Sequence, residues 1–220
     1  MITERKELFG KDYFDRNYTD YAIHNPPRKL LFYRALVEHV MQGIDCPRIL
    51  EIGCAFGLFL SVLDPTWRRY GLDTSTYAIQ QARAELSDVR LTVAAAPHIP
   101  FVEVFDVIVS FDVIEHVPDL EQVAMTIYSK LTAGGFFIFV VPVYDGPTAP
   151  LIRMLDKDQT HIHKTSRYFW LHWAQLRFSV VEWWGIYRYL SPGGYYLHIP
   201  TRWLRHYAPA IAVVTRKGVL

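Results

Sequence analysis

Glycines and an acid lie together between positions 49 and 60, where the sequence is ILEIGCAFGLFL. The apolar run predicts a buried strand that turns on Gly53 and Gly57 into the first turn of a helix. Such a turn directs backbone N–H groups and the positive end of the helix at a ligand, and its glycines let that ligand approach closely. Glu51 ends the strand, so the segment predicts a ligand-binding turn beside a carboxylate.

A second acid, Asp73, follows Gly53 by 20 positions and ends the next predicted strand. A nicotinamide dinucleotide site would combine such an acid with the pattern G-x-G-x-x-G, but here Ala55 replaces the second glycine, which disfavours a pyrophosphate. A ribose without phosphates fits better, because Asp73 can accept hydrogen bonds from both ribose hydroxyls. Glu51 can face an amino group, and the backbone N–H groups of the turn can hold a carboxylate. These are the parts of S-adenosylmethionine.

His116 comes just after another predicted strand, FDVIVS at 105–110. Methyl transfer from a sulfonium needs a nucleophile aligned behind the methyl group, and often a base for its proton. Imidazole titrates in the range that suits a general base. His116 is therefore the candidate catalytic residue, although Glu115 and His116 could instead only cap the helix that follows.

The same segment offers a less favoured alternative, a divalent metal site. Asp112, Glu115 and His116 have the spacing i, i+3 and i+4, which places them on one face of a helical turn. Carboxylates and imidazoles bind divalent cations, and His161 and His163 could complete the set from a later loop. We expect no metal here.

Strands and helices alternate along the chain, which predicts a doubly wound α/β fold. We expect a sheet of seven strands, mostly parallel with the last strand antiparallel. Ligands of such sheets bind past the carboxyl ends of the strands, where the glycine turn, Asp73 and the segment before His116 all fall. The predicted strands lie near 47–52, 68–72, 89–93, 105–110, 136–141, 178–189 and 210–217.

The pattern predicts a single domain over residues 1–220. Within it we expect an N-terminal helical cap over 1–45, a cofactor-binding core over 46–142 and a substrate-side half over 143–220. Residues 190–208 mix turn signals with aromatic and basic residues, and predict an insertion with a short helix. That insertion could form a lid over the site or contact a membrane surface.

Composition excludes several classes of protein. Apolar residues make up 51% of the 220 residues and the net charge is +1, which argues against disorder and against nucleic acid as a partner. No uninterrupted apolar run approaches the ~18 residues of a membrane span, and the N-terminal sequence lacks the pattern of a signal peptide. Two cysteines, Cys46 and Cys54, suggest no disulfide framework, so we expect a cytoplasmic protein.

Six blocks of the sequence resemble, in family order, the class I S-adenosylmethionine-dependent methyltransferases. The closest resemblance is to the ubiquinone-biosynthesis O-methyltransferase branch, and it runs from about residue 13 to the end of the chain. It implies a Rossmann-like fold and S-adenosylmethionine as cofactor. The blocks are HNPPR, LEIGCAFG, GLDTS, PHIPF, FDVIVSFDVIEHV followed by PDL, and LTAGGFFIFVVP.

The resemblance implies a set of cofactor contacts. Within this set, Arg28 is expected to reach the methionine carboxylate. Ala95 stands where the family usually offers an acid to the adenine amino group, so we expect backbone and apolar contacts to adenine, with Phe111 as a packing surface. The full set is Arg28, Glu51, Gly53, Cys54, Ala55, Gly57, Asp73, Thr74, Ala95, Ala96, Pro97, Ser110 and Phe111.

The resemblance also implies where the methyl acceptor binds. A D-x-T-H segment before the next helix lies over the substrate pocket in the family, and here it begins at Asp158. The candidate substrate contacts are Tyr144, His161, His163 and Tyr168, although histidines on a solvated loop are the ordinary alternative.

Together these features predict an S-adenosylmethionine-dependent methyltransferase that acts on a hydroxyl of a small molecule. One alternative is methylation of a sugar hydroxyl on a glycan, a lipid precursor or RNA. Another is a module that binds S-adenosylmethionine without catalysis and regulates a partner. A nicotinamide-dependent oxidoreductase is disfavoured by the glycine spacing.

Overall fold

An eight-stranded sheet forms the centre of the computed structural model, which describes residues 9–17, 21–147, 149–156, 158, 160–190 and 196–218. The strand order is β3-β2-β1-β4-β5-β8-β6-β7. The strands are β1 Arg48–Ile52, β2 Arg68–Asp73, β3 Arg90–Val93, β4 Phe105–Phe111, β5 Leu131–Pro142, β6 Ser179–Leu190, β7 Tyr196–Thr201 and β8 Ala210–Arg216.

The pairing of the strands confirms the predicted fold class. Strands β1 to β5 pair in parallel, and the final strand β8 is antiparallel to both β5 and β6. The reversal of strand order between β1 and β4 creates a crevice at the carboxyl ends of these strands, where open α/β sheets bind their ligands.

The predicted number of seven strands is wrong, because β7 is an additional strand inside the predicted insertion at 190–208. It pairs antiparallel with the end of β6, from Leu190 opposite Tyr196 to Gly185 opposite Thr201. Its Pro200 lacks an N–H group, which an edge strand tolerates. The short helix predicted in the insertion is a single 3₁₀ turn, Arg205–Tyr207.

Helices cover both faces of the sheet, and the first three lie in the segment predicted as a helical cap. Ser75 caps the helix Thr76–Glu85 as its position suggests, because its Oγ accepts from the N–H of Ala78 at 3.1 Å. The helices are α1 Lys11–Asn17, α2 Tyr21–His24, α3 Pro27–Val40, α4 Leu58–Ser61, α5 Thr76–Glu85, α6 Leu120–Lys130, α7 Ala149–Leu155 and α8 Arg167–Gln175, with a 3₁₀ turn at Ile114–His116.

Two apolar layers hold the helices against the sheet. On one face, α6 and α8 bury Ile127 and Trp170 against β4 and β5. On the other face, α3 and α5 bury Val37 and Ile79 against β1 and β8. Because β4 and β5 are buried on both faces, the strand ends that carry the site are held rigidly. No helix among the described residues is long and apolar enough to cross a membrane.

Candidate active site

A cavity of about 710 Å³ opens at the carboxyl ends of β1, β2 and β4. Its walls come from the glycine turn after β1, the loops after β2, β3 and β4, and the cap formed by α1 to α3. This volume is within the usual range for cofactor pockets. The predicted cofactor contacts that line it are Glu51, Gly53, Cys54, Ala55, Asp73, Thr74, Ala95, Ala96, Pro97 and Phe111.

The glycine turn presents its backbone to this cavity. Gly53 has a φ of +76° and Gly57 a φ of +74°, both in the left-handed region that favours glycine. A Cβ atom on Gly53 would clash with the side chain of Val113, so a larger residue there would displace the loop after β4. Ala55 also has a positive φ, of 43°. The turn therefore forms the bare backbone cradle that a close-fitting ligand needs.

Asp73 fixes the turn and points its carboxylate at the cavity. Its Oδ2 accepts from the N–H of Ala55 at 2.9 Å, and its Oδ1 accepts from the N–H of Ser75 at 2.8 Å. Burial raises the pKa of Asp73, and the backbone donors oppose this rise. Each oxygen keeps a further lone pair for a ligand hydroxyl.

A buried cation and a buried acid face the cavity beside the turn. Lys29, in the first turn of α3, is 8% exposed, and its Nζ lies 3.6 Å from Oδ2 of Asp112. The Oε2 atom of Glu51 is buried without a hydrogen-bond partner among the described residues. Burial and the neighbouring Asp73 raise the pKa of Glu51 well above its usual range. This wall therefore presents a donor and an unsatisfied acceptor to a ligand.

Three predicted cofactor contacts do not line the cavity. Arg28 is half-buried outside it, and its neighbour Lys29 takes the lining position. Gly57 instead caps α4, and Ser110 is fully buried in β4. Phe111 does line the cavity, and its ring stacks on Tyr33 with the centroids 4.1 Å apart.

His116 reaches the same cavity from the 3₁₀ turn after β4. Its Nδ1 lies 2.9 Å from Oγ1 of Thr160, and its ring centroid is 4.7 Å from that of His161. Burial lowers the pKa of His116, and the neighbouring His161 lowers it further. The imidazole is therefore neutral at neutral pH, as a general base must be.

None of the four candidate substrate contacts lines the cavity. Tyr144 and His161 lie behind His116, where the Tyr144 hydroxyl donates to Asp156 at 2.5 Å and lies 3.0 Å from Nδ1 of His161. His163 donates from Nε2 to the carbonyl of Val117 at 2.8 Å, which holds the loop in place. Tyr168 is 67% exposed.

The predicted metal set is rearranged in the structure. Asp112 forms ion pairs with Arg188 and Lys29, and although burial opposes them, these cations lower its pKa to about 2. Potential ligand atoms of Glu115, His116 and His161 instead lie within 4.8 Å of one another. Glu115 is fully buried, and burial together with Asp112 raises its pKa well above its usual range.

Sequence reasoning missed three residues of this region. Lys29 stood next to the predicted Arg28, and the helix start alone did not show which of the two faces inward. Thr160 lay inside the D-x-T-H segment that begins at Asp158 but carries no titratable group. Arg188 comes from β6, 76 residues from its partner Asp112, and no local pattern predicts that contact.

A family model described as a methyltransferase domain matches residues 14–177. The chain belongs to this methyltransferase family. The family model and the solved structures support the predicted class I fold and the predicted S-adenosylmethionine-dependent family. Membership of this family accounts for the cavity at the glycine turn. The resemblance to the ubiquinone-biosynthesis branch stays a prediction. No curated protein sequence matches the chain.

Solved structures share the fold of this methyltransferase at low sequence identity. The N-methyltransferase NodS from Bradyrhizobium japonicum, in complex with S-adenosyl-L-homocysteine, has a TM-score of 0.66 at 18% identity, covering 94% of this chain and 97% of NodS. A possible histamine N-methyltransferase from Thermotoga maritima has a TM-score of 0.64 at 16% identity, covering 93% of this chain and 97% of that protein. The [4+2]-cyclase SpnF has a TM-score of 0.64 at 15% identity, covering 86% of this chain and 81% of SpnF. At these identities the likeness shows the fold alone.

Proposed function

We propose that this methyltransferase transfers the methyl group of S-adenosylmethionine to a hydroxyl of a small apolar or aromatic molecule, with His116 as general base. The observation that carries the proposal is that His116 lines the same cavity as Gly53 and Asp73. A neutral imidazole and the cofactor-binding turn therefore face one space, which is what proton removal during methyl transfer requires.

The cavity offers a group for each part of the cofactor. Asp73 would accept from the ribose hydroxyls, and the backbone of the loop at Ala95 would lie against adenine. Lys29, instead of the predicted Arg28, would bind the methionine carboxylate. Oε2 of Glu51, which has no hydrogen-bond partner among the described residues, would face the amino group. When bound, S-adenosylmethionine supplies an electrophilic methyl group on its sulfonium.

The residues of the chain then act on the acceptor. The cavity walls would position the acceptor hydroxyl beside the bound cofactor, and this positioning would supply most of the rate. His116 would take the proton that the hydroxyl gives up on methylation. Phe9, Tyr13, Phe14 and Tyr21 line the cap side of the cavity. Their rings favour an apolar or aromatic acceptor.

We infer that transfer needs no metal. Burial and Asp112 raise the pKa of Glu115, which disfavours its charged form, and Asp112 is already paired with two cations, Lys29 and Arg188. The cluster therefore attracts a divalent cation less than a set of free carboxylates would.

We also infer a cytoplasmic location. Cys46 is exposed, Cys54 is buried, and both are free thiols. Free thiols persist in a reducing compartment, so the cysteine pattern supports the cytoplasm.

A product assay tests the proposed function. The protein is incubated with S-adenosylmethionine and a panel of phenols, sugar alcohols and amines, and mass spectrometry detects methylated products. We expect phenols to be methylated and His116→Gln to lower kcat by about 10²- to 10⁴-fold, the usual contribution of a general base. His172→Gln is the matched control, because His172 is exposed on α8 and does not line the cavity. Methylation of amines alone would contradict hydroxyl specificity, and an unaffected His116→Gln would contradict the base.

A further inference from the structure

A chain of three side chains runs from the loop before α8 to His116. The Thr160 hydroxyl lies 2.5 Å from Oδ1 of Asp158 and 2.9 Å from Nδ1 of His116. The same Oδ1 of Asp158 also accepts from the backbone N–H of Thr160 at 2.8 Å. Asp158 and Thr160 therefore form a small rigid turn whose free side contacts the histidine.

Counting hydrogens gives the direction of each bond. Burial opposes the ionisation of Asp158, but the hydroxyl and N–H of Thr160 and the two neighbouring histidines lower its pKa below its usual range. Ionised Asp158 can only accept, so the single hydrogen of the Thr160 hydroxyl is committed to it. The Thr160 oxygen must then accept from His116, and Nδ1 of the neutral His116 must carry the proton.

We propose that Asp158 and Thr160 are positioning residues that hold neutral His116 in the Nδ1–H tautomer, so that Nε2 is the nitrogen that receives the acceptor's proton. This inference rests on the proposed function for its catalytic consequence. The tautomer itself follows from the hydrogen-bond geometry, whatever the protein methylates. Neither Asp158 nor Thr160 lines the cavity, so they act through His116.

The cap helix α1 completes the same chain. The hydroxyl of Tyr13 donates to Oδ2 of Asp158 at 3.2 Å, while the rest of Tyr13 lines the cavity. The carboxylate that orients Thr160 is thus itself held by a residue of the cap that lines the cavity.

The charged neighbours of His116 do not supply an alternative partner for Nδ1. His161 lies on the loop before α8 with its ring centroid 4.7 Å away, and its own Nδ1 lies 3.1 Å from Asp156. Asp112, on the loop after β4, is paired with Arg188 and Lys29. Glu115 makes no hydrogen bond through its carboxyl oxygens within the described residues. Thr160 is therefore the partner that decides the tautomer.

Nitrogen-15 NMR of the full chain tests the inference. Long-range proton–nitrogen correlation spectra at pH 8 distinguish the two neutral tautomers, and His116→Gln identifies the His116 signals among the nine histidines. We expect the Nδ1–H tautomer in the wild type and in Thr160→Ser, which keeps the hydroxyl. Thr160→Val should shift His116 toward the Nε2–H tautomer. Thr132→Val is the matched control. In the described part of the chain, the Thr132 hydroxyl bonds Phe105 and Asp106 and not His116, so its loss should leave the tautomer unchanged.

Kinetics supply the second readout. Thr160→Val should lower kcat by about tenfold to a hundredfold and leave KM unchanged. This decrease is part of the rate enhancement that a general base contributes. Thr160→Ser should keep the wild-type kcat. An Nε2–H tautomer in the wild type, or a tautomer unchanged in Thr160→Val, would overturn the inference. Titration with S-adenosylhomocysteine separates it from the proposed function. A protein that shows the tautomer shift but binds no S-adenosylhomocysteine supports the positioning role and contradicts the methyltransferase proposal.

Discussion

Replacing Lys29 by methionine tests how the cavity holds the amino-acid part of the cofactor. Methionine keeps the length and the apolar stem of lysine, and removes only the charge. Lys29 is 8% exposed and lines the cavity, whereas Arg28 is half-buried outside it. Arg28→Met therefore removes the same kind of charge one residue away and is the matched control.

The structure sets the expected size of the effect. A hydrogen bond from a buried ammonium to a carboxylate contributes about 1.5–3 kcal/mol. The second cation beside Asp112 is Arg188, so removing Lys29 leaves that carboxylate paired and the fold intact. A loss of about 1.5–3 kcal/mol corresponds to a decrease in affinity of roughly 13- to 150-fold.

Isothermal titration with two ligands provides the assay. S-Adenosylhomocysteine carries the methionine-derived carboxylate, and 5′-methylthioadenosine has the same nucleoside without it. Lys29→Met should lower the affinity for S-adenosylhomocysteine by the factor given for the lost hydrogen bond. The affinity for 5′-methylthioadenosine should change by no more than about threefold, because this ligand has no carboxylate to pair with Lys29. Arg28→Met should leave both affinities nearly unchanged.

Two results would refute this reasoning. Equal weakening of both ligands by Lys29→Met would mean that the lysine only supports the shape of the cavity. Selective weakening by Arg28→Met would mean that the arginine reaches the carboxylate, as the sequence resemblance implies, and that α3 turns when the ligand binds.

Two further predictions concern His116 and its surroundings. His116 acts as a base only when neutral, so kcat/KM should be retained at high pH and lost as the pH falls through the pKa of His116. Burial and His161 lower this pKa, so the midpoint of a pH–rate profile should lie below the ordinary value of about 6.5. A midpoint above about 6.5 would contradict the assignment of His116 as the base. Dialysis against a strong chelator should leave the rate unchanged within about twofold, because burial disfavours the charged form of Glu115 and Asp112 is paired. A rate that falls after chelation and returns with a divalent cation would instead assign Glu115, His116 and His161 as ligands.

Local patterns predicted the parts of the site that depend on neighbours in sequence. Gly53 has a positive φ and no room for a Cβ beside Val113, Asp73 ends a buried strand, and His116 lies five residues after another. Their places at the sheet edge could therefore be predicted from periodicity. The parallel part of the sheet followed from the alternation of strands and helices along the chain.

Features that depend on distant packing could not be predicted. Neighbouring residues on a helix point about 100° apart, so the orientation of α3, which packing sets, decides whether Arg28 or Lys29 faces the cavity. The contact of Arg188 with Asp112 joins residues that are 76 positions apart in sequence. The additional strand β7 was hidden because its Pro200 and the glycines before it are typical of loops.

Titration of S-adenosylhomocysteine into the wild type and Asp73→Ala tests the central claim most directly. The account predicts one binding site, and a loss of affinity of roughly 100-fold or more in Asp73→Ala, because two charge-assisted hydrogen bonds to the ribose disappear. Circular dichroism confirms that the variant stays folded, and NADH serves as the competing ligand. An affinity unchanged in Asp73→Ala, or binding of NADH in place of S-adenosylhomocysteine, would contradict the account.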